Sequence, residues 1–395
     1  MPFLHFSRTA LGLALALGAT TTSLAASSTE IKLGNTVPYS GPASFYGCVG
    51  LSTTAYFAKV NDEGGINGRK VTVLSVDDAL APPKTVEQVR KLVEEEEVLL
   101  MLSPLGTAQN TAIHKYMNSK KVPHLFLNTG ANKWGDPKNF PWTMGFIPSY
   151  FTEGRAFARH ILATKPNAKI GLLYQNDDFG KDYLKGVLDG LGDKAKTMIV
   201  AQLTFEVTDP TVDSQLASLK GAGADTFINI STPKFAAQSI RKVGEMGWKP
   251  TQYLVSVSTS VSSVLKPAGF DNAQGVISSA YLRDPADQAI HGSKEYQDYA
   301  ALIKKHYPGG DVDDSLTANG YTIAQAMVEV LKRCGDNLTR ENIMKVASNL
   351  DLALPMLAPG IKLRTTPDDF YPVSQLQLTK FAGQRFEPFG PVIDR

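Results

Sequence analysis

"EIKLGNTVPYSGPASFYG", residues 30–47, decides how the chain reads. An apolar, strand-like run breaks into a loop where Pro38, Gly41 and Pro42 restrict the backbone while Tyr39, Ser40, Phe45 and Tyr46 supply the chemistry. The following residues predict a helix, with Leu51, Ala55 and Ala58 at 4 and 3 spacing on one face. The same strand–loop–helix unit recurs. "KVTVLSVDD" leads through Pro82-Pro83 to a helix with Val86, Val89 and Val93 in register. "VLLMLSP" leads to "LGTAQNTAIHKYM", where Ala108, Ala112, Ile113 and Met117 are expected to share a face, and "VPHLFLNTG" follows. Apolar strands alternating with amphipathic helices predict a parallel sheet covered on both faces.

The pattern restarts after "GFIPSYF". "KIGLLYQNDDFG" precedes a helix carrying Leu184, Val187, Leu188 and Leu191, and "KTMIVAQLTFEV" precedes one carrying Val212, Leu216 and Leu219. "DTFINISTP" precedes Ala236, Ile240 and Val243, and "QYLVSVSTS" completes the series. The fold class is α/β, with two open, mainly parallel, Rossmann-like sheets. A length of 395 residues suits about two domains of ~150–200 residues each. The remainder holds a strand in "GVISSAYLRDP", helices in "YTIAQAMVEVLKRCG" and "TRENIMKVASNL", and a hairpin around Gly383. Gly335 is placed to end the first of those helices and Thr339 to cap the second.

At the N-terminus Arg8 precedes an apolar run, residues 10–19, and Ser23-Leu24-Ala25 follows, the order of a signal peptide cleaved near Ala25. That run falls short of the ~20 residues of a membrane span. An exported protein is expected, periplasmic in a diderm bacterium. A net charge of +2 without a basic block gives no footprint for nucleic acid or an anionic membrane. Cys48 and Cys334 are compatible with one disulfide in an oxidising compartment or with two buried free thiols.

The strongest physical candidate for a site is "SPLGTAQN". Ser103 to Thr107 end a strand and open a helix, so unpaired backbone N–H groups and the helix dipole converge there on any anion. Enzyme signatures fare worse. "GAGAD" at Gly221 follows a helix and precedes a strand, the reverse of a dinucleotide fingerprint. Phosphate-loop, zincin and nucleophile-elbow motifs are missing, and the six His residues are scattered. Asp77-Asp78 and Asp177-Asp178 sit at strand ends, where loop-forming and capping roles outweigh acid–base ones. No cofactor and no catalysis are expected.

Taken in order, strand one with P-Y-S-G-P and a Tyr-Gly, "NDEGGINGRKV", "VDD", S-P-x-x-T-x-Q and "LYQNDDFGKDY" carry a resemblance. From about Ile31 to the C-terminus the chain resembles the substrate-binding proteins of ABC importers, specifically the Leu/Ile/Val-binding family of type I periplasmic binding proteins. The resemblance implies two lobes joined by three crossovers and closing on a ligand. One would be residues 26–145 with 280–359, the other residues 146–279 with 360–395. It implies that Tyr46 lines the pocket, that Leu105, Gly106 and Thr107 form the first contact with a ligand carboxylate, and that Asn128, Thr129 and Gly130 form the second. Phe179 stands where the family has a Tyr, which points to apolar packing, and Ser231 and Thr232 match another pocket loop.

One departure bears on the ligand. Amino-acid binders in this family present an acidic residue at the place that falls near Val257. A buried ammonium without a counter-charge costs several kcal/mol, so the expected ligand is a small hydrophobic carboxylate without the amine, an aromatic or branched acid. Branched-chain or other hydrophobic amino acids, or amides, are the alternative. The implied partners are ABC permease subunits in the inner membrane, with the protein itself a monomer. The competing class is a ligand-sensing protein or exported hydrolase on the same fold. The hydrolase would need an activated nucleophile or a metal.

Overall fold

Strand β1 (Glu30–Val37) is buried on both faces beyond its first turn of chain, because it lies inside a sheet and not at its edge. It pairs in parallel with β2 (Lys70–Asp77), from Glu30 opposite Lys70 to Val37 opposite Asp77, and on its other side with β3 (Leu100–Leu102). Strands β4 (His124–Leu127) and β5 (Thr143–Gly145) extend the sheet in the order β2-β1-β3-β4-β5, all parallel. The helices α1 (Gly47–Asp62), α2 (Pro82–Glu94) and α3 (Thr107–Ser119) are its crossovers. The computed structural model describes residues 1–2 and 30–395. The expected signal peptide and its cleavage near Ala25 lie outside the described residues.

The "GGINGRK" segment joins α1 to β2. Gly65 has φ +75°, and a Cβ there would sit 2.1 Å from the Arg69 carbonyl oxygen, so only glycine lets the chain reverse this tightly. Ile66 and Arg69 close the turn through a bridge on each other's backbone.

A second sheet has the order β14-β13-β10-β9-β8-β6-β7. Its parallel part is β6 (Ile170–Gln175), β7 (Ile199–Phe205), β8 (Thr226–Ile230), β9 (Thr251–Leu254) and β10 (Ile277–Ala280). The hairpin β13 (Leu376–Ala382) and β14 (Arg385–Ile393), which turns at Gly383, adds two antiparallel strands. Between β10 and this hairpin the chain leaves the sheet for α8 (Lys294–His306), α9 (Ser315–Cys334), α10 (Arg340–Ala347) and a short ladder of β11 (Asp351–Leu352) with β12 (Leu363–Arg364). There α8 and α9 pack on α1, so the late helices complete the first sheet's cover. The helices flanking the second sheet are α4 (Tyr150–Thr164), α5 (Asp178–Leu191), α6 (Asp213–Gly221) and α7 (Pro233–Glu245). Gly335 ends α9 with φ +59°, and the Thr339 side chain caps α10 by accepting from the Asn342 N–H.

Apolar spacing misplaced part of three helix faces. Leu51 (41% exposed) and Leu188 (38% exposed) face solvent, as do Ala108 and Ala112. In α3 the buried face carries Gln109, Asn110, Ile113, His114 and Met117. Asn110 Nδ2 donates to the Pro104 carbonyl at 2.9 Å, and its Oδ1 is 2.7 Å from His124 Nε2. Polar side chains with fixed partners therefore took positions that hydrophobicity assigned to alanine. In α1, Ser52 and Thr53 are buried in the same way, Thr53 donating to the Gly320 carbonyl on α9. Cys48 and Cys334 are both free thiols, the first part-buried and the second buried.

The buried histidines give the fold a pH dependence. His114 stacks on Phe140 at 3.8 Å between ring centroids, and its Nε2 has no hydrogen-bond partner. Burial, then the nearby Lys133 ammonium, lowers His114 to about 4, with Asp136 opposing. Burial and His114 push His124 well below its ordinary value. Both rings are neutral in the fold and charge at about 6.5 in the unfolded chain. Their contribution is complete above that pH and drains as pH falls toward 4. Urea unfolding should lose more free energy between pH 7 and pH 4.5 in the native chain than in His114→Phe. Parallel curves for the two proteins would disprove the assignment.

Candidate functional site

In a parallel sheet every βα loop emerges at the same edge, and a crevice opens where consecutive crossovers leave to opposite sides. In the first sheet that point lies between β1 and β3, whose loops carry Tyr46 and residues 103–106. In the second it lies between β6 and β8, whose loops carry Asp177 and residues 231–232. A cavity of about 500 Å³ is lined by both sets of loops.

From the first sheet, Tyr46, Leu105, Gly106, Thr107 and Asn128 line this cavity. Gly106, with φ +97°, is the N-cap of α3 and offers no side chain to its first N–H groups. A Cβ at Gly106 would meet Gln109 Oε1 at 2.2 Å. The amides of Thr107, Ala108 and Gln109 begin the helix, and all three residues border the cavity. The dipole adds about half a positive charge at that end. Thr129 does not reach the wall: its hydroxyl lies 2.6 Å from that of Thr107 and fixes it from behind. Gly130 is also behind the wall, its carbonyl accepting from the Tyr150 N–H at 2.8 Å. Ser103 is fully buried beneath the loop with φ +53°.

From the second sheet, Phe179, Thr232 and Val257 line the cavity, whereas Ser231 is fully buried and only its carbonyl is engaged, by Ser258. Phe179 packs edge-on to Tyr150 at 5.1 Å. The Tyr46 hydroxyl donates to the Val257 carbonyl at 3.4 Å, joining loops of the two sheets across the cavity. Asp177 caps α5 by accepting from the Gly180 N–H, and Asp77 gathers the N–H groups of Tyr39, Ser40 and Ala79 together with Lys84. Both pairs of acids thus have structural partners, Asp78 included, through Leu80 and Thr85.

Sequence reasoning missed Tyr150, Tyr281 and Asn319, which also line the cavity, as does Ser256 beside Val257. Asn128 donates to Asn319, which donates to the Tyr281 hydroxyl, a relay along the floor. An Asn on the otherwise apolar face of "LTANGYTIAQAM" was the available signal. Burial pushes the Tyr150 hydroxyl up to about 12. It is a neutral hydrogen-bonding group at pH 7 and a poor proton shuttle. Neither Cys nor His lines the cavity, and among the described residues no cluster of His, Cys, Asp or Glu suits a metal ion. No helix among them is long and apolar enough to cross a membrane.

Two α/β sheets presenting their strand ends to one shared cavity define a bilobed ligand-binding class. The chain belongs to the periplasmic binding protein family, whose model matches residues 30–384. It is 23% identical over 333 residues to Leu/Ile/Val-binding protein homolog 7 of Brucella abortus (strain 2308), covering 81% of this chain and 82% of that protein. Among solved structures, a branched chain amino acid ABC transporter protein from Thermus thermophilus with bound valine matches with a TM-score of 0.83 at 17% identity, over 93% of this chain and 97% of that one. A solute binding protein of an ABC transporter from Rhodopseudomonas palustris, in complex with 3,4-dihydroxy benzoic acid, matches with a TM-score of 0.77 at 17% identity, over 93% and 98%. Likeness at these identities establishes the fold.

The cap of α3 is open to a direct test. Gly106→Ala forces an alanine to a positive φ, and should lower the unfolding free energy by about 1–2 kcal/mol in urea titration. An unchanged midpoint and slope would show that the loop relaxes freely.

Proposed function

We propose that the protein is the extracytoplasmic solute-binding component of an ABC importer, capturing a small hydrophobic carboxylate and delivering it to permease subunits in the inner membrane. The observation that carries this reading is the open N-terminus of α3, with Gly106, Thr107, Ala108 and Gln109 bordering a cavity walled by Tyr46, Tyr150 and Phe179. Free amides suit a carboxylate, and aromatic faces suit an apolar body. The names of similar proteins, a Leu/Ile/Val-binding homologue and ABC transporter proteins holding valine or an aromatic acid, support transport and leave both ligand types in play. Absence of an acid at Val257 favours the acid without an amine.

The lobes of this reading are residues 26–145 with 280–359 and residues 146–279 with 360–395. The signal peptide directs the chain to the periplasm, where it acts as a monomer without cofactor or catalysis. A ligand touching both walls shifts an existing open–closed equilibrium toward the closed form, because its contacts exist in full only there.

Calorimetric titration of aromatic and branched acids should yield micromolar or tighter binding, about −8 kcal/mol or better. Hydrophobic α-amino acids and amides form the second arm. Strong stabilisation by leucine with no response to amine-free acids would replace the ligand class proposed here. For the acid that binds, Tyr46→Ala should weaken affinity by at least ~1 kcal/mol, the scale of a lost aromatic contact. An unaltered constant would remove Tyr46 from the site.

A further inference from the structure

Behind the second sheet's wall lies a carboxylate that no role above uses. Glu153, in the first turn of α4, is 1% exposed. Its Oε1 accepts from the Ser256 N–H at 2.7 Å and its Oε2 from the Ser256 hydroxyl at 2.8 Å. The fully buried Tyr183 hydroxyl donates to the same Oε2 at 2.7 Å. These partners are neutral donors and no cation balances the acid, so burial pushes its carboxyl up against the pull of the Tyr183 and Ser256 hydrogen bonds. Ser256 itself is only part-buried and borders the cavity beside Val257.

The consequence is one of hydrogen-bond direction. A hydroxyl has one proton and two lone pairs. With its proton committed to Glu153, Ser256 turns lone pairs toward the ligand and accepts only. We propose that Glu153 acts through Ser256 as a positioning residue that selects ligands carrying a hydroxyl donor on the apolar body, opposite the end held by α3. This rests on the carboxylate reading above and narrows it to hydroxylated acids. A ligand lacking the donor leaves the Ser256 lone pairs unpaired once water is expelled. A ligand presenting an ether oxygen meets acceptor against acceptor.

Glu153→Gln reverses the polarity without changing the shape. The Gln oxygen still accepts from the Ser256 N–H, while its amide donates to Ser256 Oγ and to the Tyr183 hydroxyl oxygen, turning both hydroxyls round and freeing the serine proton for the cavity. The probes are phenylacetate, its 3- and 4-hydroxy derivatives and the matching methyl ethers, titrated calorimetrically into native protein, Glu153→Gln and Ser256→Ala. In native protein the better hydroxy acid should bind about 10-fold or more tightly than the parent, and the ether more weakly than the parent. In Glu153→Gln the hydroxy preference should shrink to about threefold or less and the ether should gain on the hydroxy acid, a crossing that general loosening of the cavity does not produce. Ser256→Ala, which keeps the backbone N–H on Glu153, should erase the preference even if Glu153→Gln fails to fold. Equal binding of parent and hydroxy acids to native protein overturns the donor inference and leaves the carboxylate reading standing. If none of the acids binds while phenylalanine or tyrosine does, both fall.

Discussion

The first amides of α3 have no partner within their helix, and Gly106 brings no side chain to cap them. Most helices solve this with Ser, Thr, Asp or Asn, worth about 1 kcal/mol. This chain does so at Asp177, Asp314 and Thr339, while α1, α2, α4, α6 and α7 also start without a side-chain cap. At the one long helix of the first sheet whose start opens on the cavity with a positive-φ glycine, it does not. A cap there would fill the place that the proposed ligand carboxylate needs. The surrounding geometry holds the loop in this form: Gln109 donates to the Leu80 carbonyl, Asn110 to those of Pro104 and Gly106, and Thr129 backs the Thr107 hydroxyl.

The second constraint is that the second sheet is not a contiguous piece of chain, and neither is the helical cover of the first. Strands β13 and β14 return to the second sheet after α9 and α10 have packed with the first. Asp284, in the segment leaving β10, accepts from the Phe386 N–H of that returning hairpin, and burial pushes its carboxyl up against the pull of that bond. Such crossings hold the two sheets near one another while leaving the loops at their strand ends free to approach. Ion pairing across the approach is modest: Lys133 reaches Asp178 at 2.6 Å, a part-exposed pair of the kind worth less than about 1 kcal/mol. An opening motion would therefore meet little electrostatic resistance, and the ligand proposed above, held by α3 on one side and the Val257 loop on the other, would add its binding energy only on closing.

Much of the fold was legible because strands buried on both faces read as apolar runs, and "IKLGNTV", "VLLMLSP" and "DTFINISTP" do so without ambiguity. Loop position was legible where the motif is local: Gly106 and Thr107 border the cavity. What spacing could not show is which polar residues fold inward. Asn110, Thr53 and Glu153 occupy interior positions because each meets a partner on another element, at His124, at Gly320, and at Ser256. Hydrophobic periodicity has no term for a partner on another element. The same limit explains why Thr129, Gly130 and Ser231 were expected at the cavity surface and instead support the residues that form it.

Glu153 also changes how the missing acid near Val257 should be understood. The position itself is apolar, but a carboxylate lies one residue's reach away, already engaged by three neutral donors. Burying an acid without a cation costs several kcal/mol even after hydrogen bonding, and an apolar residue on α4 would avoid that cost. It would also leave the buried Tyr183 hydroxyl and the Ser256 N–H unpaired. What the acid does provide is direction: a serine whose proton has somewhere fixed to go. On the proposal above, a buried acid that orients a cavity hydroxyl spends stability on discrimination.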